Sequence, residues 1–253
     1  MRTGMWFLRI LLVVSLTCLL MHAQGSSTNS PQLVSIVERM QDAQSSSRPA
    51  IPYQLIREYS LFGEKNPNPS SEVWAEIDYL PPNRRSFIIQ KRVGSGRGED
   101  VVRRILQRES QMATASRSES AVDNNNYSFE YLGVATFEGS PCYLLGLNPK
   151  RKDVQLVRGK AWVDQDSFRI RHMEGEMAKS PSWLLKKISL KIDFADFGGA
   201  WLQNRMQAVA EVRVLGNQTL KSEIIDARVG NLTTQKTAPA LYDRSKSSRV
   251  PAN

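Results

Sequence analysis

Two histidines, His22 and His172, and two cysteines, Cys18 and Cys142, are the whole supply of imidazole and thiol in 253 residues. Zinc hydrolysis draws on two or more histidines at helical spacing. A Ser-His-Asp triad would have to use His172, and no Gly-x-Ser-x-Gly elbow accompanies it. Within Phe168-Arg169-Ile170-Arg171-His172, alternation places His172 on one strand face with Phe168 and Ile170, as a packed or hydrogen-bonded sheet residue. Cys142 stands in the apolar run Pro141-Cys142-Tyr143-Leu144-Leu145, where a thiol behaves as a small hydrophobe. Carboxylates are numerous, but no spacing singles out a pair of the glycosidase kind. The segment Gly94-Ser95-Gly96-Arg97-Gly98 sits between a strand and a helix, as phosphate-binding loops do. It has neither the G-x-G-x-x-G spacing nor the Gly-Lys-Ser/Thr ending. Glu99 and Asp100 also occupy the helix start, where they would repel a phosphate. The segment reads as a flexible connector. These residues point to no catalytic group, no metal and no cofactor.

The first 25 residues shape the rest of the reading. Arg2 and Arg9 precede or enter an apolar run, Ile10 to Met21, which ends at Ala23-Gln24-Gly25. That is the pattern of a secretory signal, and the run is short for a spanning helix. Retention as a membrane anchor is the competing reading. Cys18 lacks the flanks of a lipidation site. Cleavage after Gly25 removes two arginines, Cys18 and His22, so the formal charge of +9 falls to +7 and one cysteine remains. An exported chain with one cysteine forms no internal disulfide, so a packed core must stabilise it.

The elements follow from hydrophobic period. Leu33, Ile36, Val37 and Met40 have helical spacing, which predicts a helix over 31–44 behind Ser30 and Pro31. From Ile51 the chain is strand-rich. Val73, Ala75, Ile77 and Tyr79 alternate with polar neighbours, and Arg85 to Val93 forms the next strand. A second helix is predicted from Glu99 to Ala115. Strands then recur at intervals of about 8–12 residues: 127–136, 140–148, 155–164, 167–175, 185–197, 200–206, 207–215 and 218–229. With no crossover helix among them, the sheet should be antiparallel. The expected organisation is a signal segment (1–25), one domain (26–231) and a basic, disordered tail (232–253). The tail sets Lys236, Arg244, Lys246 and Arg249 against Asp243, so only about +4 belongs to the folded part. Basic residues there occur as scattered pairs without a recognised binding motif, which argues against nucleic acid. Three Asn-x-Ser/Thr sequons begin at Asn126, Asn217 and Asn231, and matter only if the chain is secreted by a eukaryote.

The ordered set of segments carries a family resemblance. It comprises Gly98-Glu99-Asp100-Val101-Val102-Arg103-Arg104-Ile105-Leu106, Asn126 to Gly133 (NYSFEYLG), Cys142 to Arg151 (CYLLGLNPKR), Gly159 to Asp164 (GKAWVD), Arg171 to Glu176 (RHMEGE) and Ala178 to Trp183 (AKSPSW). Behind a signal peptide and a short helix, this order resembles the outer-membrane lipoprotein-sorting proteins, the LolA/LolB-like superfamily of periplasmic carriers. The resemblance implies a mainly β fold with two or three helices: a half-open antiparallel β-barrel with helices across its concave side. It implies a cavity for lipid or lipoprotein acyl chains, a monomeric carrier without catalysis, and a periplasmic location. A related branch, the RseB-like regulators, senses envelope stress and binds a membrane partner, which is the alternative function. Periodicity offers Leu33, Ile36, Val37, Met40, Ile77, Tyr79, Phe87, Ile89, Ile105, Met112, Ile188, Leu190 and Ile192 as residues lining the cavity; ordinary core packing would use the same positions. Trp183, Leu184, Lys186 and Lys187 form an apolar–basic cluster suited to brief contact with a membrane or a partner protein.

Overall fold

The computed structural model describes residues 31–46, 51–114 and 120–230; the signal-like segment and the basic tail lie outside them. Helix α1 (Pro31–Ser46) comes first, followed by strands β1 (Tyr53–Phe62), β2 (Ser71–Leu80) and β3 (Arg84–Gly94). Helix α2 (Gly96–Thr114) then leads to β4 (Tyr127–Phe137), β5 (Ser140–Pro149), β6 (Val157–Asp164) and β7 (Ile170–Met177). The last strands are β8 (Leu185–Phe197), β9 (Ala200–Val212) and β10 (Gly216–Val229).

The ten strands form one antiparallel sheet in the order β3-β2-β1-β10-β9-β8-β7-β6-β5-β4. The chain runs outward from β1 to the β3 edge and passes through α2. It then meanders back from the β4 edge until β10 pairs with β1. The sheet is open, with β3 and β4 as its two edges. Residues 200–206 and 207–215, read from sequence as two strands, are one strand, β9, with its turn beyond Val212. Its register against β8 shifts where Asp193 faces Arg205 and Phe194 faces Gln203, a bulge at Asn204.

Directly opposed residues of antiparallel strands share a face, so the register defines the two sides of the sheet. One row crosses it as Leu145, Ala161, Met173, Ile192, Met206, Ser222, Tyr59 and Val73. The next row on the same face is Leu147, Gly159, Gly175, Leu190, Ala208, Leu220 and Leu61. Both helices pack on this face. Leu33, Ile36, Val37 and Met40 of α1 are buried against Phe129, Leu145 and Leu147. Val102 and Leu106 of α2 are buried against Tyr59, Val73 and Ile77. The α1 cluster lies over β4–β7, and the α2 cluster lies over β1–β3 and reaches Ile224 of β10 and the start of β9 at Ala200 and Leu202.

Two local sequence readings are corrected. Gly94 to Gly98 is no loose connector. Gly94 has φ of 87°, Ser95 N–H donates to Ser70 O, and the Ser71 hydroxyl donates to Ser95 O. A Cβ at Gly98 would lie 2.1 Å from Ser71 Oγ, so glycine there lets α2 start directly on β2. His172 also does not share a face with Ile170. A register shift at Arg171 turns Ile170 into the α1 cluster and His172 to the other side.

Asp164, at the β6–β7 turn, accepts hydrogen bonds from Ser167 N–H (2.8 Å), the Ser167 hydroxyl (2.9 Å) and Asp166 N–H (3.2 Å), with Arg171 at 3.4 Å. Burial alone would raise its pKa. The bonds from Ser167 and Asp166, with Arg171, outweigh that and hold it below the ordinary value. Its stabilisation is therefore complete above the unfolded-state pKa of about 3.9 and is lost as pH falls through the lower folded value. Asp164→Asn is expected to make urea-unfolding stability less pH-dependent below about pH 4. Superimposable pH profiles for variant and parent would contradict this.

Candidate functional site

Between the two helix-covered ends, the helix-bearing face has a floor made by β8 and β9. Ile188, Leu190 and Ile192 face Ala210, Ala208 and Met206 in direct register. All six are half-buried, and none belongs to either helix cluster. Met173, on the α1 side, and Leu220, on the α2 side, border the strip. Small residues keep the floor low, with Gly159 opposite Gly175 and then Ala208 and Ala210. The outcome is an apolar strip with large side chains at its margins, a surface that can receive a long apolar chain.

The sequence-proposed lining residues divide into three places. Leu33, Ile36, Val37 and Met40 lie buried beneath α1. Ile77 and Tyr79 are buried in the α2 cluster, with Phe87 and Ile89 packed on its border. Tyr79 stacks on Tyr53 at 4.9 Å and donates its hydroxyl to Pro82 O at 2.7 Å. Ile105 is half-buried at the side of α2, whose inward stripe is Val102 and Leu106. The side chain of Met112 lies outside the described residues. Ile188, Leu190 and Ile192 meet on the floor. Met206, Ala208 and Ala210 were missed because β9 was divided at residue 206, which hid the alternation running through it.

The floor has a polar end towards β1. Tyr53, Leu55, Arg57 and Tyr59 all point to the helix-bearing side and all are buried. Ladder pairing between β9 and β10 stops at Arg205 and Glu223. Beyond it the Arg57 guanidinium donates to the carbonyls of Gln203 and Asn204 and to Ser222 Oγ. Burial lowers the Arg57 pKa, yet a guanidinium stays charged. The Tyr59 hydroxyl is fully buried without a hydrogen-bond partner, and burial above all raises its pKa. Arg85 pairs with Glu109 of α2 at 2.6 Å, while its Nε and the Ser110 hydroxyl of α2 are buried without partners.

The opposite face mixes charged and aromatic side chains. It holds a cavity of about 560 Å³ whose lining includes Glu58, His172, Lys191, Asp193, Arg205 and Glu223. His172 Nδ1 hydrogen-bonds Asp193 Oδ1 at 2.6 Å, and Nε2 lies 3.8 Å from Glu174. Phe137 stacks on the ring at 4.8 Å and Trp162 meets it edge-on at 4.7 Å. A triad histidine turns Nε2 to a hydroxyl or thiol nucleophile; here both nitrogens face carboxylates. This arrangement joins β7 to β8, and the Arg205–Glu138 pair ties the β4–β5 turn to the same spot. Cys142 is fully buried, and burial raises its thiol pKa. Among the described residues no cluster of three or more His, Cys, Asp or Glu is placed to hold a metal ion. No helix among them is long and apolar enough to cross a membrane.

A family model described only as an uncharacterized protein matches residues 101–225, just under half of the chain. No curated protein matches the sequence. Among solved structures, the chain is similar to a domain described as an outer membrane lipoprotein-sorting protein from Vibrio parahaemolyticus. The identity is 12% and the TM-score 0.45, over 80% of this chain and 93% of that one. It is also similar to a LolA superfamily protein from Nitrosomonas europaea, with 11% identity and a TM-score of 0.37, over 79% of this chain and 94% of that one. A third likeness is to a Pseudomonas aeruginosa MucA/MucB complex structure, with 8% identity and a TM-score of 0.25, over 79% of this chain and 99% of the matched one.

Proposed function

We propose that this chain is an exported, non-catalytic carrier for the acyl chains of lipids or lipoproteins, of the outer-membrane lipoprotein-sorting type, and that it works in the periplasm. The observation that carries the reading is the half-buried floor of Ile188, Leu190, Ile192, Met206, Ala208 and Ala210, flanked on one face by two helices. An acyl chain needs such a surface, and each methylene it buries is worth about 0.8 kcal/mol. In this reading the helix-bearing face is the concave side of a half-open barrel. The helices are its walls, and the buried Arg57 and Tyr59 mark the end nearer a cargo head group. The signal-like segment and the family resemblance of the sequence support export to the periplasm.

The test is purification from the exporting cells, organic extraction and lipid mass spectrometry, with displacement of a fluorescent fatty acid as the binding assay. The parent should yield a hydrophobic ligand and should bind the probe, which added unlabelled fatty acid displaces. Ile192→Asp, which sets a charge on the floor, should weaken binding at least about tenfold, the loss of roughly two methylene contacts. A ligand-free parent with no affinity for the probe would overturn the carrier reading.

A further inference from the structure

One end of the sheet carries four large apolar side chains in the open: Trp183 (77% exposed), Leu184 (40%), Val214 (81%) and Leu215 (59%). They come from two segments, the turn before β8 and the β9–β10 hairpin, that are tied side by side. Arg213 N–H donates to Leu184 O at 2.9 Å, and Arg213 Nε donates to Trp183 O at 2.7 Å. The Trp183 turn is ordered from within. Ser180 Oγ donates to Ser182 O and Leu185 O, and Leu184 N–H donates to Ser182 Oγ. A single exposed leucine needs no explanation; four adjacent large apolar groups on a rigid tip do.

Charge selects the occupant. Residues 178–187 and 211–217 hold Lys179, Lys186, Lys187 and Arg213 against one acid, Glu211, and Glu64 reaches the hairpin at Asn217 from the β1–β2 connection. Glu211 pairs with Lys186, and Glu176 pairs with Lys187 from the neighbouring strand. Those pairs are exposed, so they are weak competitors for another anion. An apolar tip with a tryptophan and a basic collar matches the boundary between head groups and acyl chains of an anionic bilayer.

We propose that the paired tips Ser182–Leu184 and Val214–Leu215 dock the protein on anionic lipid membranes. Trp183, Leu184, Val214 and Leu215 enter the interface, and the basic collar faces the head groups. Ile188 and Ala210 pair just inside the tip, so the apolar floor begins where the bilayer would lie. If the carrier reading holds, docking sets the mouth of the floor against the membrane; the docking itself does not depend on that reading.

The experiment is cosedimentation of the cell-purified protein with vesicles of phosphatidylglycerol or phosphatidylcholine, at low and high salt. Expected are binding to phosphatidylglycerol that salt weakens, little binding to phosphatidylcholine, and a blue shift of tryptophan emission that Trp183→Phe removes. Val214→Ser with Leu215→Ser should reduce partitioning at least tenfold at unchanged melting temperature, and so should Lys179→Gln with Lys186→Gln and Lys187→Gln. Equal binding by these variants, equal binding to both lipids, or no binding by the parent would overturn the proposal. Capture of a membrane protein without vesicle binding would overturn it too, in favour of a protein partner. The Val214→Ser, Leu215→Ser variant should still bind a fluorescent fatty acid. Vesicle binding without any such fatty-acid binding sinks the carrier reading alone.

Discussion

Gly159→Ala is expected to cost about 3 kcal/mol or more, at the top of the range for overpacked sites. Gly159 on β6 faces Gly175 on β7 in direct register. A Cβ at Gly159 would lie 2.0 Å from Glu174 O and 2.6 Å from the Gly175 Cα; one at Gly175 would lie 2.2 Å from Arg158 O. Each colliding atom is backbone, so no rotamer change relieves the clash and the strands themselves must part. The pair lies between the α1 cluster and the apolar floor, so parting the strands there disturbs both. With about 2–4 °C per kcal/mol for a domain of this size, the melting temperature should fall by roughly 6–12 °C. Gly63→Ala is the control. A Cβ there meets nothing within 4 Å and its φ is not positive, so alanine should be neutral or slightly stabilising. Thermal melts in which Gly159→Ala and Gly63→Ala behave alike would refute the close approach.

Period made much of this fold legible, and the failures have identifiable physical causes. Leu33, Ile36, Val37 and Met40 gave α1 its buried face because a helix against a sheet must repeat at 3.6 residues. The alternation through Val73 and Tyr79 gave β2 for the same kind of reason. Bulges defeated alternation. One at Arg171 separated His172 from Ile170, and one at Asn204 hid the continuity of β9. Each inserts a residue and shifts the register, the one at Arg171 also reversing the side-chain parity, and no residue type announces it. On α2 the acidic start and the apolar side were readable, and Val102 and Leu106 of that side make the sheet contact, with Ile105 one position round the helix. The apolar floor needed pairing information. Met206, Ala208 and Ala210 are unremarkable in sequence and become a surface only when β8 supplies Ile188, Leu190 and Ile192 opposite them. The exposed apolar tip was half legible: Trp183 and Leu184 stand out beside Lys186 and Lys187. Val214 and Leu215 join them through a hairpin 30 residues further on, held by the Arg213 bond to Trp183 O.

Arg57 was not legible at all, and its replacement has the other large expected effect. In Tyr53-x-Leu55-x-Arg57-x-Tyr59 it fills an inward slot that alternation assigns to an apolar residue, and it is only 5% exposed. The reason lies on other strands. Beyond the end of the β9–β10 ladder at Arg205 and Glu223, β10 sets no paired residue beside Gln203 and Asn204. Buried carbonyls must be bonded, and a forked guanidinium can reach both and Ser222 Oγ at once. Arg57 therefore closes the gap between two strands as a side-chain rung. Arg57→Ala removes the donors and leaves a void; at about 1–3 kcal/mol for each orphaned buried group, a loss of about 3–5 kcal/mol is expected. Arg57→Met keeps the apolar stem but not the donors, so it should recover only the packing part. Arg57→Lys retains the charge but lacks the fork, and should fall between the parent and methionine. The order parent, lysine, methionine, alanine in urea denaturation is the result that supports the rung. If methionine instead matched or exceeded the parent, the β9 carbonyls would have another partner, and Arg57 would be there for its charge, at the polar end of the floor, rather than for the sheet.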